Sequence, residues 1–333
     1  MIICYHRSSS LSSLEMCEMK YFFTYVLGMK DKPNKKAMMG TIVHRAMQIL
    51  ADKKLAQKNN KRKLKNDDIQ DLTFAQCDDI EYITTLAYNY YTPTEPELSF
   101  TALDLKTCVS WVYKCLAYKN GELDPRNQNV YATEKFFDFE IKKDWAKYKY
   151  QVKGQDIEGY LSIKGTIDLI IQEDENYFQI LDYKTGQRKN WATGKEKTYE
   201  DLQKDTQLLL YYYALKNLYP DASFYVSIYY INDGGIFDFA FDESDYIKAE
   251  SILRQKFEYI RSVQVPKLLS RDNSDFRCQR LCAFSELTEN GKTICQNMHS
   301  EITNEGIEVV TNRYANLKKI DKYQDGGGRI AKD

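Results

Sequence analysis

Three residues in this chain have types and spacing that could do chemistry together. Asp168 lies in the apolar run Gly165-Thr166-Ile167-Asp168-Leu169-Ile170-Ile171. Asp182 and Lys184 close a second run, Ile180-Leu181-Asp182-Tyr183-Lys184-Thr185-Gly186. Strands send alternate side chains to opposite faces, so Asp182 and Lys184 point the same way. A charge at the end of an apolar strand is costly unless it is solvated or employed. Two carboxylates and one ammonium at a sheet end can hold a divalent cation and activate a water.

The elements that must position these groups can be read around them. The two runs are predicted as strands near 164–172 and 177–183, and the acidic turn Glu173-Asp174-Glu175-Asn176 makes them a hairpin. With Gln172 opposite Phe178, Asp168 falls opposite Asp182, and a slip of one or two residues keeps the groups close. Val130 to Ile141 is a predicted strand with Glu134 inside it. There, a place near the site and a plain solvent-facing position are equal readings. Tyr199 to Tyr219 is predicted as one amphipathic helix ended by Pro220, with Gln207 and Tyr211 four apart on one face. Phe224–Ile231 and Ile236–Phe241 form a further hairpin, followed by a helix from Glu243 to Val263. The first part is helical. A helix over Ser12–Val26 is opened by the capping-box spacing of Ser12 and Glu15 and stopped by Gly28. A second starts near Met38, and others cover about 69–91 and 101–119, with Lys53 to Asp68 a helix tail and loop. The expected organisation is a helical region over 1–129, a core over 130–265, a cysteine-bearing segment over 266–305, and a polar, mobile tail over 306–333 that includes Gly326-Gly327-Gly328.

Composition narrows the class. With 43% hydrophobic and 29% charged residues the chain is a folded protein rather than a disordered one. No apolar run nears the roughly 20 residues that span a bilayer, and the first residues lack a secretory apolar stretch. No membrane partner is expected. The expected compartment is the cytoplasm, or a host cytoplasm if the gene is viral. There the eight cysteines stay reduced or bind metal. A net charge of −1 gives no global basic signature, so a nucleic acid would be held by local patches. One patch runs from Lys53 to Lys65 and reads better as a solvated face. The other, Arg188, Lys189, Lys195 and Lys197, lies just after the Asp-Tyr-Lys run and is the stronger candidate.

The chemistry that suits this set is phosphodiester hydrolysis. It needs a cation on the phosphate, a water that loses its proton, and charge to stabilise the transition state. Asp168 and Asp182 offer hard oxygens for Mg²⁺ or Mn²⁺, and the Tyr183 carbonyl can add another. Lys184 can orient the water or neutralise phosphate, and Gln207 and Tyr211 can lean over the sheet end. Gly165-x-x-Asp168, Asp182-Tyr183-Lys184-Thr185-Gly186 and Gln207-x-x-x-Tyr211, in that order, resemble the core motifs of RecB-type nucleases of the PD-(D/E)XK superfamily. Ser12-Ser13-Leu14 to Cys17 with Lys20-Tyr21 is similar to that family's first helix. Gly40-Thr41-Ile42-Val43-His44 is similar to its Gly-x-x-x-His motif, which implies His44 as a metal ligand. The resemblance covers roughly residues 8–300. It implies an α/β fold with a restriction-endonuclease-like core, a small mixed sheet flanked by helices. A histidine beside two aspartates should favour manganese.

The cysteines add a second expectation. Cys278-x₃-Cys282-x₁₂-Cys295 forms a late cluster and Cys17 stands alone in the first helix. RecB-like nucleases of the AddB kind and small CRISPR-associated exonucleases are similar in having one early and three late cysteines. The resemblance implies Cys17, Cys278, Cys282 and Cys295 as ligands of a structural [4Fe–4S] cluster that ties the chain ends together. The late spacing is wider than in those families, which leaves zinc open.

The expected function is a metal-dependent DNA nuclease, an exonuclease on single strands or duplex ends. Its partners would be DNA and a helicase or other recombination or replication protein. Abundant tyrosine, 27 residues, could supply stacking platforms for unpaired bases, although a compositional origin explains most of it better. The alternatives are a non-catalytic, DNA-binding subunit of a repair or replication complex, and a restriction-type endonuclease.

Overall fold

The computed structural model describes residues 1–65, 69–189 and 194–317. In chain order the elements begin with strand β1 (Tyr5–His6) and helices α1 (Ser8–Met16), α2 (Glu18–Tyr21) and α3 (Lys35–Lys58). A small ribbon of β2 (Lys63–Leu64) and β3 (Leu72–Thr73) precedes α4 (Phe74–Asp78), α5 (Ile80–Tyr91) and α6 (Ala102–Ala117). Then come β4 (Val130–Glu140), β5 (Lys147–Val152), β6 (Gln155–Tyr160), β7 (Ser162–Asp174) and β8 (Tyr177–Lys184). The last part holds α7 (Tyr199–Gln203), α8 (Thr206–Leu218), β9 (Ser223–Tyr230), β10 (Gly235–Ala240), α9 (Glu243–Ser262), α10 (Phe276–Leu281), α11 (Ile294–Glu305) and α12 (Ile307–Tyr314). Among the described residues no helix is long and apolar enough to cross a membrane.

The architecture is α/β, as expected: a six-stranded mixed sheet flanked by helices. The path runs β1-β7-β8-β9-β10, and β4 pairs with β7. β7 is the hub. β4 runs antiparallel along it from Ser162 to Ile171, β8 pairs antiparallel with its far half, and β1 lies parallel to its start. β8 and β9 are parallel, joined by α7 and α8, as a crossover connection requires. Gln172 stands opposite Phe178, so the Asp168–Asp182 register expected from the hairpin is the observed one.

The alternation of side chains splits the core into two layers. Ile163, Ile167, Ile180, Val226 and Ile228 pack on one face with α8 and α9. Leu169, Ile171, Leu181, Tyr183 and Tyr229 pack on the other with α3, α5 and α6. In β7, Ile167 and Leu169 are two apart yet belong to opposite layers. The alternation therefore changes phase at Asp168. Opposite that point, Glu134 of β4 has φ +45°, a left-handed conformation unusual inside a strand.

Several boundaries differ from expectation. The first helix begins at Ser8, where Ser10 Oγ accepts from the Arg7 N–H at 2.9 Å, so Ser12 and Glu15 are interior and do not form its cap. It breaks at Cys17, which is extended at φ −167° and starts α2. α3 opens at Lys35 because Asn34 accepts from the Ala37 N–H at 3.1 Å, and it runs on to Lys58. The expected helix over Tyr199–Tyr219 is two helices, because Asp205 is extended and caps α8 through the Gln207 N–H. The β5–β6 hairpin and β1 were not foreseen. Residues 307–314, assigned to the tail, form α12 with Val310 buried. The rest of that tail, from residue 318 and including its glycines, lies outside the described residues.

Candidate active site and cysteine pocket

The predicted acidic residues meet at the sheet end between α3 and α8. α3 delivers His44, β4 Glu134, β7 Asp168, β8 Asp182 to Lys184, and α8 Gln207 and Tyr211. The close approach of α3 depends on Gly40: a Cβ there would lie 2.8 Å from Thr185 Oγ1. One turn later, His44 Nε2 donates to the Tyr183 carbonyl at 2.9 Å, and His44 Nδ1 lies 3.4 Å from Asp168 Oδ1. The other Asp168 oxygen accepts from the Tyr183 N–H at 2.8 Å, which locks the two strands together where their ladder ends.

A second network holds Asp182. Gln207 Nε2 donates to Asp182 Oδ1 at 2.9 Å and to the Tyr211 hydroxyl at 2.8 Å, and Tyr211 donates to the Thr166 carbonyl at 3.1 Å. Lys184 Nζ donates to Gln207 Oε1 at 3.2 Å and sits 2.7 Å from Asp182 Oδ2. That buried Oδ2 has an ion-pair partner but no directed hydrogen bond. Asp182 and Lys184 do share a face, as their spacing demanded. An open cleft of about 520 Å³ gives access, lined by Tyr91, Arg45, His44, Glu134, Lys184 and Thr185 among others.

The electrostatics follow from crowding. Burial works against charge on His44, but Asp168 outweighs it, with Glu134 and Asp182 behind, and lifts the imidazole from 6.5 to about 9. Burial likewise opposes ionisation of Asp168, but His44 and Lys184 hold that carboxyl below its ordinary range. Asp182 goes the other way, pushed up by burial and by Asp168 against the pull of Lys184. Burial and then Asp168 push Glu134 up to about 7. Burial disfavours the Lys184 ammonium, yet Asp182 and Asp168 overrule it and raise its pKa, so it stays charged.

These donors fit a hard divalent cation. One ligand atom each from His44, Glu134 and Asp168 lie within 4.8 Å of one another. Two ligands of one ion stand ~3 Å apart at right angles and ~4.2 Å apart across it, at metal–oxygen distances of ~2.1 Å. The Asp182 Oδ2 without a directed hydrogen bond is a further oxygen of the kind an ion takes. Glu134 is the member that sequence reasoning left undecided. Its signal is pairing: it faces Asp168 across the β4–β7 ladder, which no local pattern reveals.

The four predicted cysteines also come together. Cys17, at the α1–α2 break, lines one cavity with Cys278, Cys282 and Cys295, beside the stacked rings of Phe23 and Phe284. All are free thiols. Burial, followed by the neighbouring thiols, pushes Cys278 up to about 11 and Cys295 further. The walls are tied independently: Lys20 donates to the Leu281 carbonyl at 2.8 Å and pairs with Asp31 at 2.6 Å. No three of the sulfurs gather within 4.8 Å. Cys4, Cys77, Cys108 and Cys115 are buried elsewhere.

The basic patches are largely internally matched. Lys53 pairs with Asp78, Lys63 with Asp71, and Lys54 donates to the Arg126 carbonyl. Arg188 pairs with Glu196 and stacks on Phe237, and Lys197 pairs with Asp205. The second patch, expected to be the more available for a polyanion, is therefore tied into the loop that follows β8.

A family model described as the PD-(D/E)XK nuclease superfamily matches residues 8–287. No curated protein matches the chain.

Proposed function

The chain belongs to the PD-(D/E)XK nuclease superfamily, and from that premise we propose that it is a metal-dependent DNA nuclease acting as an exonuclease on single strands or duplex ends. The observation that carries the reading is the convergence of His44, Asp168, Asp182 and Lys184 at one sheet end, where His44 and Lys184 line a cleft. His44, Asp168, Asp182 and the Tyr183 carbonyl would hold Mg²⁺ or Mn²⁺. When bound, the ion polarises the phosphate and lowers the pKa of an attacking water.

The rest is done by the protein. Lys184 remains an ammonium, so it neutralises phosphate charge and orients water rather than taking its proton. Gln207 holds Asp182 and Lys184 at once, which fixes the acid and the cation relative to each other. Tyr211 anchors that amide to the Thr166 carbonyl and so ties α8 to β7. Cys17, Cys278, Cys282 and Cys295 would hold a structural [4Fe–4S] cluster that joins α1 to the C-terminal segment. The alternative is a single zinc, which would need the four sulfurs at ~2.3 Å from one ion. A non-catalytic subunit would have no use for so complete an acid–lysine–amide network.

The test is direct. Purified protein is incubated with 5′- and 3′-labelled single and double strands and Mn²⁺ or Mg²⁺, beside Asp182→Ala. Metal-dependent shortening from an end by the wild type alone is expected. Absent cleavage, or equal cleavage by the variant, overturns the enzyme reading, and internal cuts overturn the exonuclease mode.

A further inference from the structure

We propose that Tyr91 stacks on an unpaired base beside the phosphate being cut, so that the cleft selects single strands and frayed ends over closed duplex. The inference deepens the nuclease reading and rests on it. Its first support is placement. Tyr91 is the last residue of α5, and it lines the cleft of about 520 Å³ together with His44 and Lys184. That volume lies within the ~300–1,000 Å³ of sites that enclose one small ligand, the scale of a nucleotide. Tyr183 borders the same cleft, but it is 3% exposed and its ring packs in the core layer beneath α3. Among the described lining residues, the half-buried ring at the cleft wall is that of Tyr91.

The second support is rigidity. Tyr90 meets Tyr91 edge-on, with ring centroids 5.0 Å apart and planes at 88°. Tyr91 also packs against the helical layer of the core. The end of α5 is fixed around it: Thr92 Oγ1 donates to the Tyr88 carbonyl at 2.9 Å, and Thr94 Oγ1 donates to the Tyr91 carbonyl at 2.7 Å. A ring held in place before binding supplies stacking area at little further cost in entropy.

The third support is the company the ring keeps. Thr41, His44, Arg45 and Gln48 follow one another at helical spacing on one face of α3, and all four line the cleft. Arg45 donates to the Gln48 amide oxygen. Cations beside an aromatic ring are the combination that holds unpaired nucleic acid, with charge for the backbone and a π face for the base. Bases within a duplex are already stacked on both sides, so the ring meets a base that has left its helix.

The experiment separates binding from cleavage. Fluorescence anisotropy in EDTA compares oligothymidylate with a strand of equal length built wholly of abasic residues, for the wild type, Tyr91→Phe and Tyr91→Leu. The wild type should prefer oligothymidylate. Tyr91→Leu should lose at least about fivefold of that preference, the low end for a base on an aromatic ring, and Tyr91→Phe should keep it. With Mn²⁺, Tyr91→Leu should raise KM for single strands by a similar factor and change KM for a blunt, GC-rich duplex less. Mn²⁺ affinity should be the same in all three proteins, which also reports a folded site. An iodouracil-bearing strand irradiated on the wild type should cross-link to the peptide that carries Tyr91, a readout that needs no variant. Equal base preference and equal KM in the wild type and Tyr91→Leu, or cross-links only elsewhere, overturn the inference. If the wild type still cleaves with Mn²⁺, the nuclease reading stands without it. If the wild type neither binds nor cleaves any of the strands, both fail.

Discussion

Replacing Glu134 by glutamine should stabilise the metal-free protein at pH 8 and leave its stability at pH 5 nearly unchanged. Burial and Asp168 raise the Glu134 pKa from 4.5 to about 7. A carboxyl whose folded pKa is raised favours folding while it is protonated. That contribution is whole below pH 4.5 and lost as pH climbs through 7. The gap is worth at most ~3 kcal/mol, taking ~1.4 kcal/mol for each pH unit between the two values. Partial exposure of the side chain brings the expected gain to ~2 kcal/mol at pH 8. Glutamine keeps the length and the strained backbone but cannot ionise, so charge is the one thing changed. Urea unfolding in EDTA, followed by tryptophan fluorescence at pH 5 and pH 8, measures it. The reasoning is refuted if Glu134→Gln is no more stable than the wild type at pH 8 in EDTA. A gain of equal size at both pH values would refute it too, since packing rather than charge would then be responsible.

Other outcomes follow from the same geometry. Lys184→Met should lower the cleavage rate by ~10²–10³-fold while leaving Mn²⁺ affinity intact, which single-turnover assays and titration separate. Gly40→Ala should slow cleavage, because its Cβ arrives 2.8 Å from Thr185 Oγ1. Adding Thr185→Ala to it should restore the rate if that contact is the cause. Cys282→Ala should lose iron and soluble yield together, and a well-folded, iron-free variant with full activity would refute the cluster assignment. Gln207→Leu removes hydrogen bonds to two charged groups and should destabilise the fold by ~3 kcal/mol, measured by urea titration.

The hairpin carrying Asp168 and Asp182 was legible because local chemistry sets its register. An acidic turn between two branched-apolar runs leaves few ways to pair them. The Asp-x-Lys face followed from strand periodicity alone, and Gln207 with Tyr211 from helix periodicity. The β5–β6 hairpin was missed although Lys153 and Gly154, both at positive φ, make a turn after β5, which alternates lysine with tyrosine. Its apolar face is short, Tyr148, Tyr150 and Val152 on β5 and Ile157 on β6, too few residues to stand out. β1 was missed because two residues carry no periodicity and their partners, Ser162 and Ile163, lie far along the chain. The break at Asp205 was missed for the opposite reason, since the apolar pattern continues through it and only the cap chemistry of an aspartate interrupts it. Glu134 is the instructive case: its place depends on pairing across β4 and β7 and on one left-handed φ, and neither is written in its neighbours.

The first thirty residues find their partners almost entirely in what is made after them. β1 needs Ser162 and Ile163, the Met1 amine bonds the Ile260 and Val263 carbonyls, Lys20 reaches Leu281, and the Leu27 carbonyl accepts from Asn316. During synthesis at ~5–20 residues per second, Leu27 waits roughly 15–60 s for Asn316. Through that interval Phe22, Phe23, Val26 and Leu27, all buried in the finished protein, are exposed on a nascent chain. The opening segment can bury these side chains only after the strands and helices that cover them have been made.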